Sequence, residues 1–257
     1  MIWYWHSIVE WKDDDKAFIF TLKNPHGVEP TRYMKRQKSR YAIKCDPDYG
    51  PVFGADIFIN DGCDKENSCS IYNDGSRGYE CDPQHKKALF VNTAGPDKRN
   101  KFSVVDYEVY SIDNYEEYIY NICMYPDIIW EYVKTKNISE KSLKQLDDDI
   151  ELLNDLNTIH CENNSIRVKI SQYLFKNPSV LLPNTQLINQ QYDDKIKEWI
   201  GDYQWTLLYR ASRHDYMANS FHKYCDKVKG PTLVIIKSSG GWIFGGYTTQ
   251  SWRGECI

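Results

Sequence analysis

The sequence predicts a β-rich globular fold accompanied by a few helices. Its 20 Tyr and 8 Trp, within 41% hydrophobic and 14% aromatic residues, suit strands that bury one or both faces. Trp205, Leu207 and Tyr209 alternate with Thr206, Leu208 and Arg210, the period-two pattern of such a strand. Thr232–Lys237 and Trp242–Thr248 are two further β-rich runs, joined by Ser238-Ser239-Gly240-Gly241 as a hairpin. The 257 residues are enough for one large or two small domains with a sizeable core.

From the N-terminus, Asp13-Asp14-Asp15 reads as a solvated acidic turn, with cation binding as the alternative, ahead of a strand at Ala17–Leu22. Asn24-Pro25-His26-Gly27 turns the chain. The basic stretch Arg32 to Lys44 interleaves Lys35, Arg36, Lys38 and Arg40 with Tyr33 and Tyr41, a solvated edge that could also contact phosphates. A turn-rich loop, 45–54, leads into a strand at Asp56–Asn60, and 61–80 reads as irregular surface loop. Ala88–Val91 and Lys101–Tyr110 are expected strands, the second turning Phe102, Val104, Tyr107 and Val109 inward.

Residues 113–178 differ in character. Leu143, Leu146, Ile150 and Leu153 recur at helical spacing among charges, an amphipathic helix or short coiled coil. Asn177-Pro178 and Pro183 close the segment, and Asn184 is placed to cap a helix over Thr185–Ile200. After the strand at 205–210, Ser212 is placed to cap a short helix in which Phe221, Tyr224 and Cys225 share a face, ended by Gly230-Pro231. Gly245-Gly246 permits a bulge or a close backbone approach.

A net charge of −4 gives no global attraction to nucleic acid, and no apolar run reaches the roughly 20 residues of a membrane span. The apolar start, MIWYWHSIVEW, lacks a basic flank and is interrupted by His6 and Glu10, so a signal peptide is not expected. The 8 cysteines follow no disulfide framework and read as free thiols in a cytoplasmic protein.

Few constellations suggest chemistry. Cys63, Cys69, Cys81 and His85 lack the paired spacing of a zinc site, and no metal or cofactor is expected. His222 and Cys225 sit at helical spacing, which would suit a thiol beside its base, but a Cys on a helix that feeds the core is usually an inert small hydrophobe. Ser212, His214 and Asp215 have the residue types of a triad but are too close in sequence, and the glycines at 240, 241, 245 and 246 precede no Lys-Ser/Thr. A rigid surface fits better than chemistry: Gly50, Gly54, Gly245 and Gly246 sharpen the backbone beside Tyr49, Phe53, Asp56 and Tyr247 as candidate binding residues, though any one of these glycines more simply closes a β-turn.

One long stretch is specific. LLYRASR at 207–213, Phe221-His222 with Cys225, GPTL at 230–233 with Lys237-Ser238, and IFGGYT at 243–248 with Trp252 resemble the first half of a TLDc domain. KAFIFTLKNP, YGPVFGADIFI and FSVVDYEVY, at 16–25, 49–59 and 102–110, resemble its second half. The halves therefore stand in reversed order, 11–112 and 179–252 around a linker at 113–178, as in a circular permutant or a piece of a tandem pair. Asp215 occupies the position where the family carries Gly.

The resemblance implies an α+β fold, a β-sandwich of two antiparallel sheets flanked by helices. It implies a non-enzymatic protein-binding module, associated with oxidative-stress resistance and with peripheral subunits of the V-type ATPase. Arg213, in the signature turn, joins the candidate binding residues. A monomer predicts that Trp242–Thr248 pairs antiparallel with Ala17–Leu22 in one chain, with Trp205, Phe244, Phe20 and Val104 in one cluster. A swapped dimer, a thiol- or metal-dependent enzyme, and an incomplete tandem-repeat product are the alternatives.

Overall fold

Short runs of alternating or wholly apolar side chains dominate this chain, so strands set its architecture. In the computed structural model, residues 9–91, 100–112, 185–201, 203 and 205–254 are described. One six-stranded antiparallel sheet has the order β1-β4-β5-β6-β7-β8. Its strands are β1 (Glu10–Lys12), β4 (Ile43–Cys45), β5 (Tyr49–Phe53), β6 (Ile57–Asn60), β7 (Cys69–Ile71) and β8 (Asn100–Phe102). The second six-stranded antiparallel sheet has the order β10-β9-β11-β12-β2-β3. Here the strands are β2 (Phe18–Lys23), β3 (Thr31–Met34), β9 (Val104–Ile112), β10 (Trp205–Arg210), β11 (Thr232–Ser238) and β12 (Ile243–Thr248).

The second sheet interleaves early and late chain. Strand β9 lies between β10 and β11, and β12 pairs antiparallel with β2 in the same chain, Tyr247 opposite Phe18 and Gly246 opposite Ile19. The described residues form one compact unit drawn from 1–112 and 185–257. The two sheets pack face to face. Phe244 of β12 meets Phe102 of β8 at 5.4 Å and Phe90 at 5.7 Å between ring centroids. Ile43, Phe53, Ile57 and Ile71 from one sheet and Ile19, Tyr107, Val109, Val234 and Ile236 from the other share this core.

The opposite face of the second sheet is also buried. Helix α1 (Gln190–Ile200) covers it, Trp199 packing on Phe18 and Phe20. A strand buried on both faces reads as an unbroken apolar run, as FIFTL does. The expected cluster therefore divides: Val104 and Phe244 lie between the sheets, whereas Phe20 is buried beneath α1, and Trp205, although buried, stands outside the central core. Phe102, Val104, Tyr107 and Val109 all turn inward, as their spacing predicts, and a register shift beside Val104 leaves Val105 exposed.

Several local expectations are corrected. Ala88–Val91 is not a strand: a 3₁₀ turn covers Lys86–Leu89, prepared by Asp82, whose carboxylate accepts from Gln84 N and His85 N. Strand β7 lies inside the expected loop 61–80, and β5 inside 45–54, where a register shift between Tyr49 and Val52 accommodates Gly50-Pro51. Helix α1 begins later than expected, capped by Asn189, whose side chain accepts from Tyr192 N. Asp14 is buried rather than solvated; it accepts from the Thr248 and Thr249 hydroxyls and ties 14 to the end of β12. Asn184 and the amphipathic pattern at 143–153 lie outside the described residues.

Candidate functional site

The signature stretch folds as β10, a single helical turn α2 (Ala211–His214), and α3 (Ala218–Cys225). Each piece is pinned by a carboxylate from elsewhere in the chain. Asp106 of β9 accepts from Ser212 N at 2.9 Å and Ser212 Oγ at 2.6 Å. Ser212 is thus held by a cap rather than serving as one for α3. Asp61 accepts from Ala218 N at 2.7 Å, satisfying a donor at the start of α3.

Asp215 adopts φ 85° and ψ 172°, a region essentially confined to glycine. Its side chain compensates locally. One carboxylate oxygen accepts from Met217 N at 2.8 Å and the other from Ser220 Oγ at 2.7 Å. The glycine-type turn therefore survives with Asp in it. Beside it His214 stacks on Tyr224 at 4.3 Å, and its Nδ1 accepts from Arg210 N at 3.1 Å. Burial and the neighbouring Arg213 and Arg210 push His214 down to about 4, so it is neutral near pH 7.

Glu108, fully buried on β9, is the polar centre that sequence reasoning missed. Arg210 donates to it from Nε and Nη2, both at 2.9 Å. Tyr110 Oη, Thr185 Oγ1 and Gln186 N supply further donors within 3.0 Å. Five donors saturate the carboxylate, as burial of a charge requires. A lone Glu between Tyr107 and Val109 was the available signal, but its meaning depends on the pairing of β9 with β10.

His222 joins the two parts of the chain. Its Nε2 lies 3.0 Å from Asp46 O and 2.9 Å from Tyr49 O, and its Nδ1 lies 2.8 Å from Asp226 Oδ1. Carbonyl and carboxylate oxygens only accept, so this set of partners favours the doubly protonated imidazolium. Burial opposes that charge, but the hydrogen bond and charge of Asp226 and the two carbonyls outweigh it and raise the His222 pKa. Neither nitrogen is available as a base for Cys225, whose thiol is fully buried and pushed well up by desolvation.

The structure brings Cys63 and Cys69 together, but not Cys81 and His85 with them. Cys63 shares a hydrogen bond with Cys69, and that contact, with burial, raises its thiol pKa. Cys81 sits beside Gly75, and His85 stacks on His26 at 4.2 Å while its Nδ1 lies 2.9 Å from Asp82. Among the described residues no group of three or more His, Cys, Asp or Glu is placed to hold a metal ion. Cys45, Cys63, Cys69, Cys81 and Cys225 are free.

The proposed binding residues separate by depth. Gly50, Phe53, Gly54, Asp56, Gly245, Gly246 and Tyr247 are buried, while Tyr49 and Arg213 are half-buried. A Cβ at Gly246 would stand 2.6 Å from the Phe53 ring, and one at Gly245 would overlap Val234 O. These glycines permit the close approach of strand to strand and sheet to sheet. Asp56 accepts from Gly78 N at 2.8 Å, Tyr79 N at 3.1 Å and Asn73 Nδ2 at 3.3 Å, closing the 73–79 loop onto β6. Burial pushes its carboxyl up to about 6 against these donors.

The elements β10, α2, α3, β11 and β12, with their buried carboxylate anchors, are what known proteins can be compared with. Residues 176–256 match the TLDc domain. The TLDc match covers the signature turn, the Arg210 partner of Glu108, and both strands of the 232–248 hairpin. Two curated relatives are similar over parts of the chain. One is the MTOR-associated protein MEAK7 of Xenopus laevis, 38% identical over 53 residues, 20% of this chain and 11% of the relative. The other is the MTOR-associated protein MEAK7 of Gallus gallus, 32% identical over 82 residues, 31% of this chain and 15% of the relative. The matched stretches are thus a small part of either relative. No solved structure matches significantly. Among the described residues no helix is long and apolar enough to cross a membrane.

Proposed function

We propose that the sandwich is a non-enzymatic, TLDc-type protein-binding module, cytoplasmic, that engages peripheral subunits of the V-type ATPase and contributes to oxidative-stress resistance. The observation that carries this reading is the TLDc match over 176–256, whose strands complete a shared core with the described residues of 9–91 and 100–112. The reversed order of halves belongs to the same proposal, and the β12–β2 seam supports it. Tyr49 and Arg213 are the proposed contact residues, and the buried glycines, Phe53, Asp56 and Tyr247 act as their support. The occupied nitrogens of His222 and the buried thiol of Cys225 favour binding over thiol chemistry.

A second reading of the partner rests on the name of the relatives and places the module in an mTOR-associated assembly. Capture from lysate by the purified chain tests both. Recovery of pump subunits, weakened by Arg213→Glu in folded protein, is the expected result. Recovery of mTOR-associated components without pump subunits would select the second reading, and recovery of neither would refute both.

A further inference from the structure

We infer that the turn at 36–40, with Trp11 and Tyr41, is a docking surface for a short acidic peptide carrying an apolar anchor. This deepens the interaction-module reading and rests on it. The basic stretch does not act as one charged loop. Lys35 is withdrawn from it: its ammonium binds Asp13 at 2.6 Å and Asp15 at 2.9 Å, and donates to Ser39 O at 2.8 Å. That last bond, with Ser39 N donating to Arg36 O, fixes the turn. Arg36, Lys38 and Arg40 are thereby presented outward. All three are exposed and make no side-chain hydrogen bond or ion pair among the described residues. Arg40 acts on Asp13 only through space, as the weakest of the influences lowering that carboxyl. Like charges on one short turn repel one another and are relieved by a bound anion.

Beside the cations lies exposed aromatic surface. Tyr41 is 52% and Trp11 36% exposed, and their rings meet edge to face at 5.1 Å. Lys44 reaches within 5.8 Å of the Trp11 ring but is already paired with Asp46 at 2.5 Å. Trp, Tyr and Arg grouped in this way are the composition of a binding hot spot. A continuous polyanion fits poorly, because Asp13 and Asp15, both exposed and sharing Lys35, stand beside the turn and would repel its charge beyond it. A short acidic segment can satisfy the three cations and lay an apolar side chain on the Trp11–Tyr41 pair.

Fluorescence polarisation on the full chain tests this, using a fluorescein-labelled Glu-rich peptide with a central Phe-Leu pair. Its Lys-rich counterpart, single-stranded RNA, and phosphatidylcholine vesicles with and without phosphatidylserine are the comparisons. The wild type should bind the Glu-rich peptide, less tightly as salt rises. R36E/K38E/R40E should weaken binding by roughly tenfold or more, and Tyr41→Ala should weaken it as well, with cooperative unfolding retained in both. No saturable binding, undiminished binding by the charge-reversed chain, or preference for the Lys-rich peptide, RNA or phosphatidylserine vesicles would overturn the proposal. Capture of pump subunits, run in parallel, separates the two readings. Capture undiminished by the charge reversal, with no patch-dependent peptide binding, overturns the patch alone. Patch-dependent peptide binding without such capture upholds the patch and refutes the pump as partner.

Discussion

At the scale of single residues, Asp215 and His222 show how side chains sustain backbone that would otherwise be costly. Asp215→Ala keeps the unfavourable φ and removes both hydrogen bonds, to Met217 N and Ser220 Oγ. It should destabilise by about 1–3 kcal/mol, while Asp215→Gly, which relieves the backbone as it loses the cap, should stay within about 1 kcal/mol of wild type. Urea unfolding of both variants checks the difference. For His222 the folded pKa lies above the ordinary 6.5, so its stabilisation is fully present below pH 6.5 and is lost as pH rises through the folded value. His214 has the opposite sign: its folded value, about 4, makes stability fall as pH drops from 6.5 through 4. His222→Gln should lower stability below pH 6.5 by about 1.5–3 kcal/mol and flatten the decline above it. A slope unchanged in that variant would assign the decline to other groups.

At the scale of elements, the seams between strands carry the energetics. Arg210→Leu would leave Glu108 buried and underpaired, and should cost about 3–5 kcal/mol. Phe20→Ala and Phe244→Ala should each cost about 3–5 kcal/mol, acting on opposite faces of one sheet. Gly246→Ala should destabilise by about 1–3 kcal/mol, and Phe53→Leu should recover part of that loss, because the added methyl group meets the Phe53 ring. Additive losses in the Gly246/Phe53 double variant would contradict the contact.

The same scale shows what the sequence made legible. Strands β2, β9, β10, β11 and β12 are runs of β-forming residues, and local pattern was enough to find them. Strands β3, β4 and β5 carry Arg, Lys or Gly-Pro within short spans, β7 is only Cys69-Ser70-Ile71, and all four exist because a neighbouring strand supplies their hydrogen bonds. The site was less legible than the fold. Asp14, Asp106 and Glu108 are acids in polar or strand contexts, and each acquires its role from donors far away in sequence. His222 and Cys225 were legible as a pair but not in their separate roles, since no local pattern announces that Asp46 and Tyr49 occupy the imidazole.

At the scale of the whole molecule, early and late chain share one core. Lys12 Nζ donates to Ser251 O and Arg253 O, and Asp14 accepts from Thr248, so the β1–β2 region lies against the end of β12. Cysteines placed at Glu10 and Arg253, with reactive native thiols replaced, test this arrangement through a short bifunctional maleimide at high dilution. The expected outcome is a cross-link within single chains that leaves a monomer on denaturing gels. Cross-links formed only between chains, or none in protein that unfolds cooperatively, would contradict it.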